Sequence, residues 1–268
     1  MQGELFTETL RRSWRTALYW GLALGFISLF TVAFVQDMDA LKQYQELFKT
    51  MPAGLLAALG MDISREMTPE SFINLAVFAQ LVMIMPIYGI VAGLSLTSND
   101  EDEGIMDMVL TAPVARWRVI VERFAAFCVF IVLIALLNHL GVWLGGTFLT
   151  SLPLDMNKLA VASLSLIPLM IFTAALTALI ATLVKRRTVA IGLAVLIVII
   201  SYFLDTLGAA ATDSIVGALR PLSYFRYYDS ANIMFEGVQP LNLLILLGGA
   251  ALMIAAAVYR WERRDVGL

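Results

Sequence analysis

The sequence predicts an all-α integral membrane protein with six transmembrane helices. Hydrophobic residues make up 60% of its 268 positions, and the mean hydropathy is +0.84, whereas soluble domains average roughly 45 to 50% apolar residues. A helix needs about 20 apolar residues to cross roughly 30 Å of hydrocarbon. Six stretches have this length: 17–35, 72–96, 124–149, 159–184, 189–207 and 241–259. The whole chain, 1–268, is therefore interpreted as one six-span transmembrane domain.

The distribution of basic residues predicts the orientation of these spans. Three Lys or Arg residues occur in each of the ranges 1–16, 98–123, 185–187 and 260–268, which makes twelve of the eighteen in the chain. The other six lie in the alternate loops. By the positive-inside rule, we expect both termini and the segment between the second and third spans to lie in the cytoplasm of a plasma-membrane protein.

Composition excludes several function classes. The net charge of −3 and the absence of a basic tail argue against a nucleic-acid partner. The single cysteine, Cys128, and single histidine, His139, exclude an intramolecular disulfide and a metal site built from several such ligands. No Gly is followed by Lys, so the GxxxxGK[ST] phosphate loop is missing. We expect no enzymatic activity and no cofactor on this chain; ATP and Mg²⁺ would act through a partner subunit.

The N-terminal segment 1–16 has the pattern of an amphipathic helix. Phe6, Leu10 and Trp14 recur at four-residue spacing, and charged residues fill the other positions. This pattern predicts a helix lying in the membrane interface. A signal peptide is the alternative, but the apolar run that follows is too long for one. Apolar residues at helical spacing within 36–71 predict short helices on the outer surface.

Several of the apolar spans contain small or polar residues. Pro86 should kink the second span because it removes a helix hydrogen bond. GxxxG pairs occur at Gly21 and Gly25, Gly89 and Gly93, and Gly141 and Gly145. Packing within one subunit is favoured over a dimer contact for each pair. Asn138 and His139 lie in the third span, where polar residues are functional candidates, although a lone His is more often an interhelical hydrogen-bonder.

The outer loop 208–240 contains clustered aromatic residues, in the string PLSYFRYYDSANIMFEG. Tyr and Trp are enriched where a membrane meets water. We therefore expect these rings to lie at the membrane interface.

The segment 98–118 has features of a short helix outside the lipid. Four consecutive acids stand at 100–103, and charges near a bilayer centre cost roughly 2.5 to 3.5 kcal/mol each. Asp100 can cap the helix with Glu103. An apolar stripe follows, formed by Ile105, Met108, Val109 and Ala112. Pro113 should break the chain before Arg116 leads into the next span.

This segment resembles the cytoplasmic loop of type-2 ABC exporter permeases. The match runs through Glu103, Gly104, Leu110, Pro113, Val114, Arg116 and Arg123. Departures are Ile105, Asp107, Ala115 and Arg123, where the family usually has Thr, Glu, Ser and Lys. The resemblance implies a coupling helix between the second and third spans that docks into a separate ATP-binding subunit. The coupling residues would be Glu103, Gly104, Ile105, Met108, Val109, Pro113 and Arg116.

The resemblance further implies a permease subunit that pairs with a second copy of itself or a homologous permease. Cargo would cross by alternating access at the dimer interface, lined by the second and fifth spans. Candidate pathway-lining residues are Gln80, Met83, Tyr88 and Tyr202. The apolar lining favours a hydrophobic or amphiphilic cargo.

Three other functions compete with that of an exporter. A membrane anchor or sensor for an ATPase remains open. A secondary transporter needs ionisable residues at mid-membrane depth, and an intramembrane enzyme needs facing catalytic groups. No carboxylate lies at mid-depth in any predicted span, which counts against both.

Overall fold

The computed structural model describes residues 3–34, 46–48, 50–58, 68–97, 115–184 and 186–263. Within these ranges all regular structure is helical. Six long apolar helices are α1 (Glu4–Phe34), α3 (Pro69–Leu94), α4 (Arg116–Phe148), α5 (Met156–Leu183), α6 (Arg187–Ala210) and α9 (Pro240–Glu262). Three short helices are α2 (Ala53–Ala58), α7 (Ile215–Leu219) and α8 (Ser230–Glu236). The predicted all-α fold with six membrane-spanning helices is confirmed.

The six long helices alternate in direction, so the bundle has two distinct ends. At the proximal end α1 begins, α3 ends, α4 begins and α9 ends. At the distal end α6 ends and α9 begins. The start of α1 and the end of α9 therefore lie at the same, proximal end.

The expected separate interfacial helix over 1–16 is not present. Helix α1 instead runs without a break for 31 residues, a length of about 46 Å at 1.5 Å per residue. Neither Pro nor Gly occurs between Glu4 and Trp20 to interrupt it. The N-terminal segment is therefore continuous with the first span and is not a separate helix.

Helix α1 packs chiefly on α4, and glycines allow the two backbones to touch. A Cβ on Gly25 would lie 2.6 Å from the carbonyl oxygen of Leu137, and one on Gly141 would overlap the carbonyl group of Gly25. The buried Ser28 hydroxyl donates to Asn138 Oδ1 at 2.7 Å across the same contact. Among the described residues His139 Nδ1 has no hydrogen-bond partner. Asn138, not His139, makes this interhelical bond.

Helix α5 is the centre of the bundle and contacts α3, α9, α4 and α6. On α3, a Cβ at Gly93 would lie 2.5 Å from the Ala174 carbonyl oxygen of α5, and one at Gly89 would lie 2.9 Å from Thr173. All three GxxxG pairs thus pack within the subunit, which confirms that interpretation. Helix α3 continues through Pro86, and its first third holds a π-helical turn, Asn74–Phe78.

The connection between α6 and α9 folds back into the distal end of the bundle. Ser223 is fully buried, and its hydroxyl donates to the Ser201 carbonyl oxygen of α6 at 2.6 Å. Tyr224 stacks on Phe172 of α5 with ring centroids 4.9 Å apart. Burial raises the pKa of Tyr228, so its hydroxyl stays protonated and donates to the Ala162 carbonyl oxygen at 3.3 Å. Tyr224 and Tyr228 are therefore buried within the bundle rather than exposed on its surface, and their expected position at the membrane interface stays a prediction.

Replacing Gly141 by Ala should destabilise the protein by about 1 to 3 kcal/mol, because the added methyl group forces α1 away from α4. Gly192→Ala in α6 is the matched control, because a Cβ there meets nothing within 4 Å. It should be neutral or slightly stabilising. Thermal unfolding of both variants in detergent measures the difference, and equal melting temperatures would contradict the packing role of Gly141.

Candidate functional site

Most of the predicted coupling residues lie outside the described part of the chain. Glu103, Gly104, Ile105, Met108, Val109 and Pro113 all fall within 98–114. Arg116 is described, and it is the exposed first residue of α4. The restart of the helix after Pro113 thus occurs where the sequence predicted it. The described flanks of this segment are the last turn of α3 and the first turns of α4.

Two consecutive side chains of α4 hold the helix ends that surround this segment. The Glu122 carboxylate accepts a hydrogen bond from the Phe6 backbone N–H at 3.4 Å. The Arg123 guanidinium donates to the Leu96 carbonyl oxygen at 2.9 Å. Leu96 itself is 1% exposed, and nearby Ile120 is fully buried. One turn of α4 therefore joins the start of α1 to the end of α3.

Both contacts use the polarity of helix ends. The first N–H groups of a helix and its last carbonyl groups lack partners within the helix. They carry partial positive and partial negative charge respectively, so an anion stabilises the start and a cation stabilises the end. Glu122 meets the start of α1, and Arg123 meets the turn after α3. Each charge therefore lies at the helix end that stabilises it.

The segment 98–114 joins two differently packed parts of the bundle. Helix α4 packs most extensively on α1, whereas α3 packs most extensively on α5 and also contacts α6. Direct contact between α3 and α4 is sparse. The Arg123 hydrogen bond to Leu96 is therefore a specific link between helices that otherwise touch little.

Arginine and aromatic side chains form pairs at the proximal end. Guanidinium carbons lie 5.5 Å, 5.4 Å and 4.1 Å from ring centroids in the pairs Arg15 with Trp14, Arg118 with Trp117, and Arg263 with Tyr259. The three rings are all at least 40% exposed. Amphipathic aromatic residues and basic residues are typical of the level at which a membrane meets water.

The four candidate pathway residues do not share one surface. Gln80 is exposed and Met83 is 53% exposed on α3. Tyr88 is buried, with its ring 6.0 Å from that of Trp20. Tyr202 of α6 is half-buried and meets Phe225 edge-on at 5.7 Å. In the single chain, only Gln80 and Met83 are open to a partner.

Gln80 and Met83 belong to a longer exposed face. On α3 this face continues with Ile87 and Val91, and the adjacent helix α6 exposes Leu193, Leu196, Ile200, Phe203 and Leu207. Only 17% of the most apolar part of α6 is buried. We call these side chains, together with Gln80 and Met83, the α3–α6 face. Gln80 gives it a polar side chain at membrane depth.

A family model described as ABC-2 family transporter protein matches residues 5–266. The match covers nearly the entire chain. The chain belongs to the ABC-2 transporter family. It is a multi-pass transporter permease, and the resemblance inferred from the segment around Pro113 is confirmed. No curated protein matches the chain.

Glu122 was not predicted as a site residue of this ABC-2 permease, and Arg123 was noted only as a family match. Glu122 is the single acidic residue of α4. A lone acidic residue next to an arginine in a long apolar helix was the sequence feature that could have marked both as candidates. The sequence could not show which helix ends the two side chains reach, because those contacts span 116 and 27 residues.

Replacing Arg123 by Met should loosen the end of α3, because the Leu96 carbonyl loses a charged donor. Bonds to charged groups contribute about 1.5 to 3 kcal/mol, so amides of residues 95–97 should exchange hydrogen about tenfold faster or more. Arg118→Met is the control, because it makes the same change in charge and length five residues earlier in α4. Hydrogen exchange followed by mass spectrometry measures both variants. Equal protection of residues 95–97 in the two variants would show that Arg123 does not hold the end of α3.

Proposed function

We propose that this ABC-2 permease is the transmembrane subunit of an ATP-driven exporter. A separate ATP-binding subunit would supply ATP and Mg²⁺, since the chain has no GxxxxGK[ST] phosphate loop. Family membership supports the pairing. Both termini and the segment 98–114 would face the cytoplasm of a plasma membrane, as the distribution of basic residues predicts.

The link made by Glu122 and Arg123 is the observation that supports coupling through the segment 98–114. Because Arg123 holds the end of α3 and Glu122 holds the start of α1, a push on this segment acts on three helices together. The force then reaches α5 and α6 through the packing of α3. Closure of the ATP-binding subunits would thereby change the arrangement of the spans, as in rigid-element alternating access.

The apolar stripe of the segment, formed by Ile105, Met108 and Val109, would enter a groove on the ATP-binding subunit. A carboxylate placed in that groove must lose its hydration or break the contact. Burying an unpaired charge costs several kcal/mol, and each 1.4 kcal/mol is tenfold in affinity. The docking contact should therefore be sensitive to a single acidic substitution.

Met108→Asp should weaken association with the ATP-binding subunit by at least tenfold and abolish transport, while membrane insertion is retained because the residue lies outside the lipid. Met106→Asp is the matched control, because position 106 lies off the stripe on the predicted helix. Co-purification of the two subunits at equal expression measures the effect. Equal retention of the ATPase by both variants would remove this segment from the proposed mechanism.

The cargo pathway would form where two permease copies meet through the α3–α6 face. This face is apolar apart from Gln80, and its residues lie on neighbouring helices. A hydrophobic or amphiphilic cargo matches such a lining. Lipid can cover an exposed apolar surface, so the apolar side chains alone do not indicate a protein partner. The exposed polar side chain of Gln80 at membrane depth is what favours a protein partner on this face.

A cysteine at Met83 should form a disulfide with the same residue of a second copy under mild oxidation, after Cys128 has been replaced by Ala. Leu252→Cys is the control, because Leu252 is 75% exposed in the middle of α9 on a different face. Non-reducing gels of membranes detect the cross-linked dimer. Equal cross-linking at both positions, or none at Met83, would contradict the proposed interface.

A further inference from the structure

The distal end of the bundle carries a polar pocket of about 250 Å³. Its lining includes Arg220, Arg226, Asp229, Asn232, Gln239 and Asn242. These residues come from the connection between α6 and α9, from α8, and from the start of α9. The pocket therefore lies where two membrane-spanning helices leave the hydrocarbon.

One carboxylate, Asp229, lines the pocket, and nearby Asp205 pairs with the lining residue Arg220. Arg220 Nε donates to Asp205 Oδ1 at 2.7 Å. Asp229 accepts from the Asn232 backbone N–H at 3.1 Å and from Asn232 Nδ2 at 2.7 Å. Ion pairing and hydrogen bonding satisfy both carboxylates, so neither is available to bind a cation.

Arg226 differs from these groups because, within the described ranges, its charge acts on Asp205 only through space, without a hydrogen bond or a close ion pair. Its side chain is exposed at the pocket. The two terminal nitrogens of Arg220 also lack partners among the described residues, since only Nε contacts Asp205. Two arginines whose guanidinium groups keep unused N–H donors thus line the same pocket.

The start of α9 adds further positive potential. Gln239 is the residue before this 23-residue helix, Asn242 lies in its first turn, and both line the pocket. The aligned peptide dipoles of a long helix place partial positive charge at its N-terminus. Guanidinium donors and a helix start together favour an anion over a neutral ligand.

We propose that this pocket binds a phosphate group. The planar guanidinium fork matches the oxygens of a phosphate, and charge-assisted bonds of this kind are among the strongest in proteins. A volume of about 250 Å³ accommodates a phosphate with part of its hydration. The phosphate is either the headgroup of an anionic phospholipid or free inorganic phosphate.

The position of the pocket makes a lipid headgroup reachable. Headgroups lie just outside the roughly 30 Å hydrocarbon core, at the level where α6 ends and α9 begins. Basic pockets between transmembrane helices bind anionic headgroups on the cytoplasmic side of membranes, and the same charge-assisted contacts are available to a headgroup at the distal end. The proposed site does not depend on the exporter mechanism, because none of its residues belongs to the α3–α6 face or to the segment 98–114.

The test uses the full-length protein in detergent, titrated separately with dihexanoyl phosphatidylglycerol and with inorganic phosphate. Arg226→Gln should weaken binding about tenfold, because it removes a charged donor that makes no hydrogen bond within the described ranges. Arg260→Gln is the control: it makes the same change at an exposed position at the proximal end. Microscale thermophoresis gives the affinities, and thermal unfolding verifies that both variants remain folded.

Selective loss of phosphatidylglycerol binding in Arg226→Gln supports the site with a lipid headgroup as its source. Selective loss of inorganic phosphate binding supports it with free phosphate as the source. Absence of binding by the unaltered protein, or equal weakening in Arg226→Gln and Arg260→Gln, overturns the proposal.

Discussion

Direct contact between the backbones of α1 and α4 is the constraint on which the rest of the bundle depends. Lipid tails are as apolar as leucine side chains, so helices in a membrane associate through close packing and buried hydrogen bonds. Glycines at 25 and 141 allow that packing, and the Ser28 hydroxyl bonded to Asn138 fixes its register. With this pair fixed, Glu122 lies beside the start of α1 and Arg123 faces the end of α3.

The central position of α5 has a different basis. The glycines of α3 pack against threonines and alanines of α5, so small residues on both helices allow the two backbones to approach closely. The Thr173 hydroxyl also donates to the Leu169 carbonyl of its own helix at 3.0 Å, which satisfies a buried polar group. Helix α5 thus holds α3 from one side while Arg123 holds its end from another.

The sequence predicted the parts of this fold that depend on local chemistry. Apolar length located all six spans, and glycine spacing located the close contacts, because both follow from properties of a single helix. The continuity of α1 was missed because an amphipathic start does not by itself break a helix. Burial of Tyr224 and Tyr228 was missed because an aromatic side chain suits a membrane interface and a protein interior equally well by composition.

The residues of the candidate site also fall into two groups, those that local sequence spacing predicts and those whose contacts depend on distant helices. The stripe at 105–112 and the arginine at 116 follow from spacing along one segment. The contacts of Glu122 and Arg123 depend on how distant helices pack, so no local pattern contains them. Asn138 and His139 illustrate the difference most directly: they are neighbours in sequence and both polar, but only Asn138 points at Ser28, because adjacent residues on a helix face different directions.

The uneven burial of the helices connects the fold with the proposed mechanism. In α5, 67% of the most apolar part is buried, whereas in α6 and α9 only 17% is. Helices with little burial inside one chain must be covered by lipid or by another protein. Helix α9 exposes leucines and no polar group in its middle, which suits lipid. Because α3 exposes Gln80 beside the poorly buried α6, a partner that offers a hydrogen bond would suit that face, and in the proposed mechanism movement of the segment 98–114 would reach it through α3.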